Sequence, residues 1–250
     1  MHHFVHDSLD IAYVDVGTGD PILLIHGFAS NHTANWRSTS WIDTLTGDGR
    51  RVIAMDVRGH GASTKFYEPL DYRPTLMAED AANLLRHLHI RNADVMGYSM
   101  GARVAALLAI AHPLLVRSLI IGGMGIGLVN GIGGEREISD ALLAASPEGI
   151  ANEQARGYRT FAYRTKSDRR ALAASILEQR QPIPAERLTA IKAPTLIAVG
   201  TRDMVAGSAH ELAALIPGAV AFDIPNRDHM LATGDKAYKA AVLDFLAKRP

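Results

Sequence analysis

Short apolar runs that alternate with helical stretches limit this chain more than any other feature. Residues 22–25, 51–56, 93–97, 118–121, 195–200 and 220–224 each read as a buried strand of four to six residues, most of them bounded by glycine or proline. Residues 10–16 alternate instead and predict a half-exposed antiparallel strand leading in. Between the runs the period changes. Residues 75–88 carry apolar side chains at 76, 77, 81, 84, 85 and 88, which is one buried helical stripe. Residues 100–111 are rich in alanine and leucine and stop short of Pro113, while 208–216 end at Pro217-Gly218 and 236–246 close the chain. Strands that are each followed by a helix join in parallel through right-handed crossovers. The expected class is therefore α/β, with a mostly parallel, doubly wound sheet.

One stretch interrupts the alternation. Residues 124–190 contain no convincing strand, only a glycine-rich lead (Gly125, Gly127, Gly131, Gly133, Gly134) followed by two or three helical segments. We read them as a small helical cap with a flexible lead, inserted between two strands, and 1–123 plus 191–250 as one core. The composition agrees with a single folded domain. Of 250 residues 48% are hydrophobic and 21% charged, enough for a core and unlike a disordered chain.

Charge and cysteine usage exclude several functions. The 26 basic and 26 acidic side chains cancel, so no field gathers nucleic acid or an anionic membrane. With no cysteine there is no disulfide, thiolate nucleophile or cysteine metal site. No basic leader precedes an apolar stretch, and no apolar run approaches the roughly 18–20 residues that span a bilayer. A cytoplasmic protein acting on a small molecule is expected. No metal-ligand spacing, dinucleotide-loop register or P-loop is present, so neither a metal nor a cofactor is expected.

The sharpest local signal is Gly97-Tyr98-Ser99-Met100-Gly101, at the junction of a strand and a helix. Glycines two positions either side of the serine permit a tight turn that pushes its hydroxyl outward at the carboxyl edge of the sheet. There a backbone N–H and the helix dipole can meet a developing oxyanion. A hydroxyl nucleophile needs a base, and the base needs an orienting acid. Of the 11 histidines, His229 is best placed, five residues beyond the last strand; Asp203 lies three residues past the strand ending at Gly200. Both occupy carboxyl ends of parallel strands, where open α/β sheets build their sites. Asp228 directly precedes His229, but neighbouring side chains usually diverge, so Asp203 is the expected acid.

The chain resembles the α/β-hydrolase fold superfamily over nearly all its length apart from the insertion. His26-Gly27-Phe28, residues 56–63, Gly97 to Gly101, and Gly200-Thr201-Arg202-Asp203 with His229 downstream carry the likeness, in the chain order serine, acid, histidine. The resemblance implies that the backbone N–H groups of Phe28 and Met100 form an oxyanion hole, and that 124–190 is the cap. It also implies that Asp56 and His60 belong to a structured turn and that His26 braces the adjoining loop. One departure is that 204–207 lack the valine-proline common after the acid. A serine at 99 disfavours the aspartate-nucleophile branches. The expected activity is a cofactor-free serine hydrolase of small or medium carboxylic esters or lactones. The same residues also serve carbon–carbon bond hydrolases and cofactor-free haloperoxidases, and such folds also act as small-molecule receptors with little turnover.

Overall fold

The computed structural model describes residues 1–249. Two strands lead in, β1 (His2–His6) and β2 (Leu9–Val16), followed by β3 (Asp20–Ile25), α1 (Trp41–Gly47), β4 (Arg50–Met55) and α2 (Pro74–His87). Then come β5 (Ala93–Tyr98), α3 (Met100–Ala111) and β6 (Val116–Gly122). Between β6 and the next strand run α4 (Gly127–Asn130), α5 (Glu135–Leu143), α6 (Glu153–Arg164), α7 (Arg169–Gln179) and α8 (Ala185–Leu188). The chain finishes with β7 (Thr195–Gly200), α9 (Ala209–Ala213), β8 (Val220–Ile224) and α10 (Lys236–Lys248).

The eight strands form one sheet in the order β1-β2-β4-β3-β5-β6-β7-β8. Only β1 with β2 and β2 with β4 pair antiparallel; the other five pairings are parallel. Strand periodicity sorts the side chains between two cores. Leu23, Ile25, Ile53, Met55, Val95 and Ile197 face one way, against α2, α3 and the insertion. Ile22, Leu24, Val52, Ala54, Met96 and Ala198 face the other, against α1 and α10. Burial on both faces is why the central runs read as continuously apolar.

Strand β1 is not among the strands expected from the sequence. It is an edge strand whose residues are exposed except Phe4, so it carries no apolar run to detect. At the amino ends of the strands, buried Asp94 accepts hydrogen bonds from Arg50, Arg117, Arg249 and Ser118. This ties the end of α10 to the base of the sheet. No helix among the described residues is long and apolar enough to cross a membrane.

Candidate active site

Ser99 sits between β5 and α3 with φ 55° and ψ −113°, a conformation L residues rarely adopt and that costs about 1–3 kcal/mol. Two close approaches explain the flanking glycines. A Cβ on Gly97 would overlap the backbone of Gly101 and Ala102, and one on Gly101 would overlap the carbonyls of Ile25 and His26. The turn is thus wedged against the end of β3. The Ser99 N–H is taken by the Gly122 carbonyl at 2.8 Å, which leaves the hydroxyl to point elsewhere.

It points at His229. The imidazole Nε2 lies 2.9 Å from Ser99 Oγ, and Nδ1 lies 2.7 Å from Asp203 Oδ2. The Asp203 side chain is fully buried and that of His229 is 13% exposed. Asp203 Oδ1 accepts the N–H groups of Val205 and Ala206, at 2.8 and 3.0 Å. Both carboxylate oxygens therefore accept, so His229 Nδ1 donates and Nε2 is left to take the serine hydroxyl proton. Asp228 does something else: its Oδ1 accepts the N–H groups of Met230 and Leu231 and closes the turn after the histidine.

The acid loop is also joined to the start of the insertion. The Ala206 carbonyl accepts the N–H groups of Gly125 and Gly127, and the Ser208 carbonyl accepts that of Ile126. The front of the glycine-rich lead is therefore knitted to the core, contrary to the flexibility its composition suggested. Gly207, at φ +71°, packs against Ile126. Proline, fixed near φ −65°, cannot take that conformation.

Beside Ser99, the N–H groups of Phe28 and Met100 find no acceptor among the described residues. The loop carrying Phe28 is pinned from three sides. Gly27 donates to Asn35 Oδ1 at 2.8 Å. His26 donates from Nδ1 to the Gly27 carbonyl and accepts the Val57 N–H at Nε2. His32 donates to Asp56 Oδ1 from both its backbone N–H and its Nδ1. Burial alone would push the Asp56 carboxyl up, but these bonds and the Ala62 N–H hold it well below the usual carboxylate range. His60 packs against His26 and Phe28, and burial with the nearby His26 lowers it to about 3, so it stays neutral. Asp56, His26 and His60 thus brace the loop rather than face the serine.

A cavity of about 790 Å³ opens over Ser99, walled by Phe28, Tyr98 and Val205 from the core and by Tyr158 and Phe161 from α6. The Thr165 hydroxyl, just after α6, donates to the Ala29 carbonyl at 2.9 Å. The sequence reading did not identify Asn35, Tyr98 or the α6 residues as parts of this site. Tyr98 reaches a partner 131 positions away and Asn35 one only 8 away, and neither single bond leaves a spacing pattern. Among the described residues no group of three or more His, Asp or Glu side chains is arranged to hold a metal.

A family profile described as the alpha/beta hydrolase fold matches residues 20–156. Over 111 residues, 44% of this chain, the protein is 37% identical to a 2-hydroxymuconate semialdehyde hydrolase of Pseudomonas sp. strain CF600. That match spans only 38% of the relative's own length. Among solved structures, a hydrolase from Pseudomonas aeruginosa superposes with a TM-score of 0.81 at 24% identity, covering 98% of this chain and 97% of the other. That likeness concerns the fold alone. A thermophilic esterase from Thermogutta terrifontis superposes with a TM-score of 0.76 at 25% identity, covering 96% of this chain and 94% of the other.

Proposed function

Because this chain belongs to the α/β-hydrolase fold family, we propose that it is a serine hydrolase that cleaves a small or medium carboxylic ester or lactone through an acyl-enzyme on Ser99. One observation carries the reading: the unbroken chain from Ser99 Oγ to His229 Nε2 at 2.9 Å and from His229 Nδ1 to Asp203 Oδ2 at 2.7 Å. Ser99 Oγ attacks the substrate carbonyl carbon while His229 Nε2 removes the hydroxyl proton. The tetrahedral oxyanion meets the free N–H groups of Phe28 and Met100. His229 then returns its proton to the departing alkoxide, and the acyl–Ser99 ester forms. Water, deprotonated by the same nitrogen, attacks that ester and releases the acid and Ser99. Asp203 stays a carboxylate throughout, holding the tautomer and stabilising the imidazolium. The helices of 124–190 act as the cap, and the α6 side chains over the cavity support that role.

A series of p-nitrophenyl esters of increasing acyl length, with a fluorophosphonate as covalent probe, tests this. Turnover by the wild type, its loss in Ser99→Ala and a single adduct on the Ser99 peptide are expected. An adduct elsewhere, or unimpaired turnover by the variant, overturns the mechanism. A second reading, hydrolysis of a carbon–carbon bond in a diketone-type ring-fission product, draws on the relative named as a 2-hydroxymuconate semialdehyde hydrolase. It predicts labelling of Ser99 with little ester turnover.

A further inference from the structure

Tyr98 precedes the nucleophile, and its hydroxyl donates to the backbone carbonyl of His229 at 2.6 Å. The residue before the serine therefore holds the main chain of the base 131 positions away. The base rides on the loop after β8, an edge strand paired with β7 and fully buried only at Ile224. Before the histidine the loop is held by the Arg202 N–H, which donates to the Arg227 carbonyl at 2.9 Å. Further along, Trp41 Nε1 secures the Thr233 carbonyl at 2.6 Å, but this anchor lies four residues past the histidine. The Tyr98 ring lies 5.7 Å from the imidazole and fills space that any side chain on Gly123 would need. Burial pushes the phenol well above its ordinary value, so the hydroxyl keeps its proton and remains a donor.

We propose that Tyr98 is a positioning residue that sets the distance between Ser99 Oγ and His229 Nε2, so that nucleophile and base keep register through one side chain. The inference rests on the reading of Ser99 as nucleophile and His229 as base. Nucleophile and anchor are consecutive residues at one strained turn, so a shift of the turn is passed to the histidine main chain through one phenol ring and one hydrogen bond. Tyr98→Phe removes the donor and keeps the ring on the cavity wall.

The nearby Tyr238 is a built-in control. It is fully buried and its hydroxyl has no partner among the described residues, so Tyr238→Phe removes a buried phenol without removing a bond. The experiment measures fluorophosphonate inactivation rates, kcat and KM on p-nitrophenyl butyrate, and the low-field proton signal of His229 Nδ1–H. Thermal melts of all three proteins check folding. Tyr98→Phe is expected to react with the probe about tenfold more slowly and to lose about tenfold in kcat, as one hydrogen bond warrants. KM should stay within about twofold, and the low-field signal should broaden. Tyr238→Phe should match the wild type in each readout. The inference is overturned if Tyr98→Phe keeps the wild-type inactivation rate, loses only in KM, or is matched in its losses by Tyr238→Phe. A wild type that forms no Ser99 adduct would instead sink the serine-hydrolase reading itself.

Discussion

Replacing Asp203 by asparagine isolates the tautomer from the geometry. Asp203 Oδ1 is fixed as an acceptor by the N–H groups of Val205 and Ala206, and Oδ2 faces His229 Nδ1. An asparagine in this site must keep its carbonyl oxygen towards the two amides, because its NH₂ would meet two donors there. Its NH₂ therefore faces Nδ1 and forces that nitrogen to accept. The imidazole proton moves to Nε2, where it opposes the serine hydroxyl and cannot take its proton. In serine-protease triads the wrong tautomer costs roughly 10⁴ in kcat, which is about 5.4 kcal/mol in the barrier at 1.36 kcal/mol per decade. We expect that order of loss for Asp203→Asn on p-nitrophenyl butyrate, with the fold retained by circular dichroism. Asp228→Asn is the paired control, since Asp228 only caps the turn of Met230 and Leu231, and it should lose less than tenfold. Steady-state kinetics on both variants decides the matter. If Asp203→Asn stays within tenfold of the wild type, or Asp228→Asn is the worse of the two, Asp203 is not the acid of the triad.

Gly101→Ala drives a methyl group into the Ile25 and His26 carbonyls and should destabilise the fold by several kcal/mol; an unchanged urea midpoint would contradict the tight turn. His60, fully buried and lowered to about 3, binds a proton in the unfolded chain near pH 6.5 but not in the folded protein. Its contribution is therefore complete above about pH 6.5 and declines as pH falls towards 3, so urea midpoints should drop over that range and drop less steeply in His60→Asn. Asp94 behaves likewise at lower pH: burial would raise it, but hydrogen bonds from Arg249, Arg117 and Ser118 win and hold it low. Stability from this cluster is present above the unfolded carboxylate value near 3.9 and is lost as pH falls through the folded one. Acid titration followed by fluorescence should show Arg249→Ala unfolding at a higher pH than the wild type.

What the sequence discloses follows from where each signal resides. The central parallel strands were legible because burial on both faces leaves runs such as 22–25 and 196–200 without polar interruption. The glycines around Ser99 were legible because close backbone approach admits no other residue. Strand β1 was not, because an exposed edge strand needs only one inward apolar side chain, here Phe4. Asn35 and Tyr98 escaped for a different reason. Each acts through one hydrogen bond to a backbone group, Gly27 N–H and the His229 carbonyl. Such bonds are satisfied by any loop geometry that brings the partners together, and they impose no recurring residue pattern. The front of the glycine lead misled because composition reports backbone freedom, whereas the carbonyls of Ala206 and Ser208 hold residues 125–127.

The double attachment of Ala206 has a bearing on how this protein can be recombined. Its N–H supports the Asp203 carboxylate while its carbonyl grips Gly125 and Gly127. Further on, the Leu128 carbonyl accepts the Ile183 N–H and also a donor from buried Arg103, whose guanidinium reaches the Gln181 carbonyl as well. Residues 124–128 and 181–183 are thus part of the chassis, although they lie within the inserted sequence. A chimera that imports foreign helices to alter substrate preference should exchange the segment between these two anchors. A splice at residue 124 would carry away the struts of the Asp203 loop together with the helices.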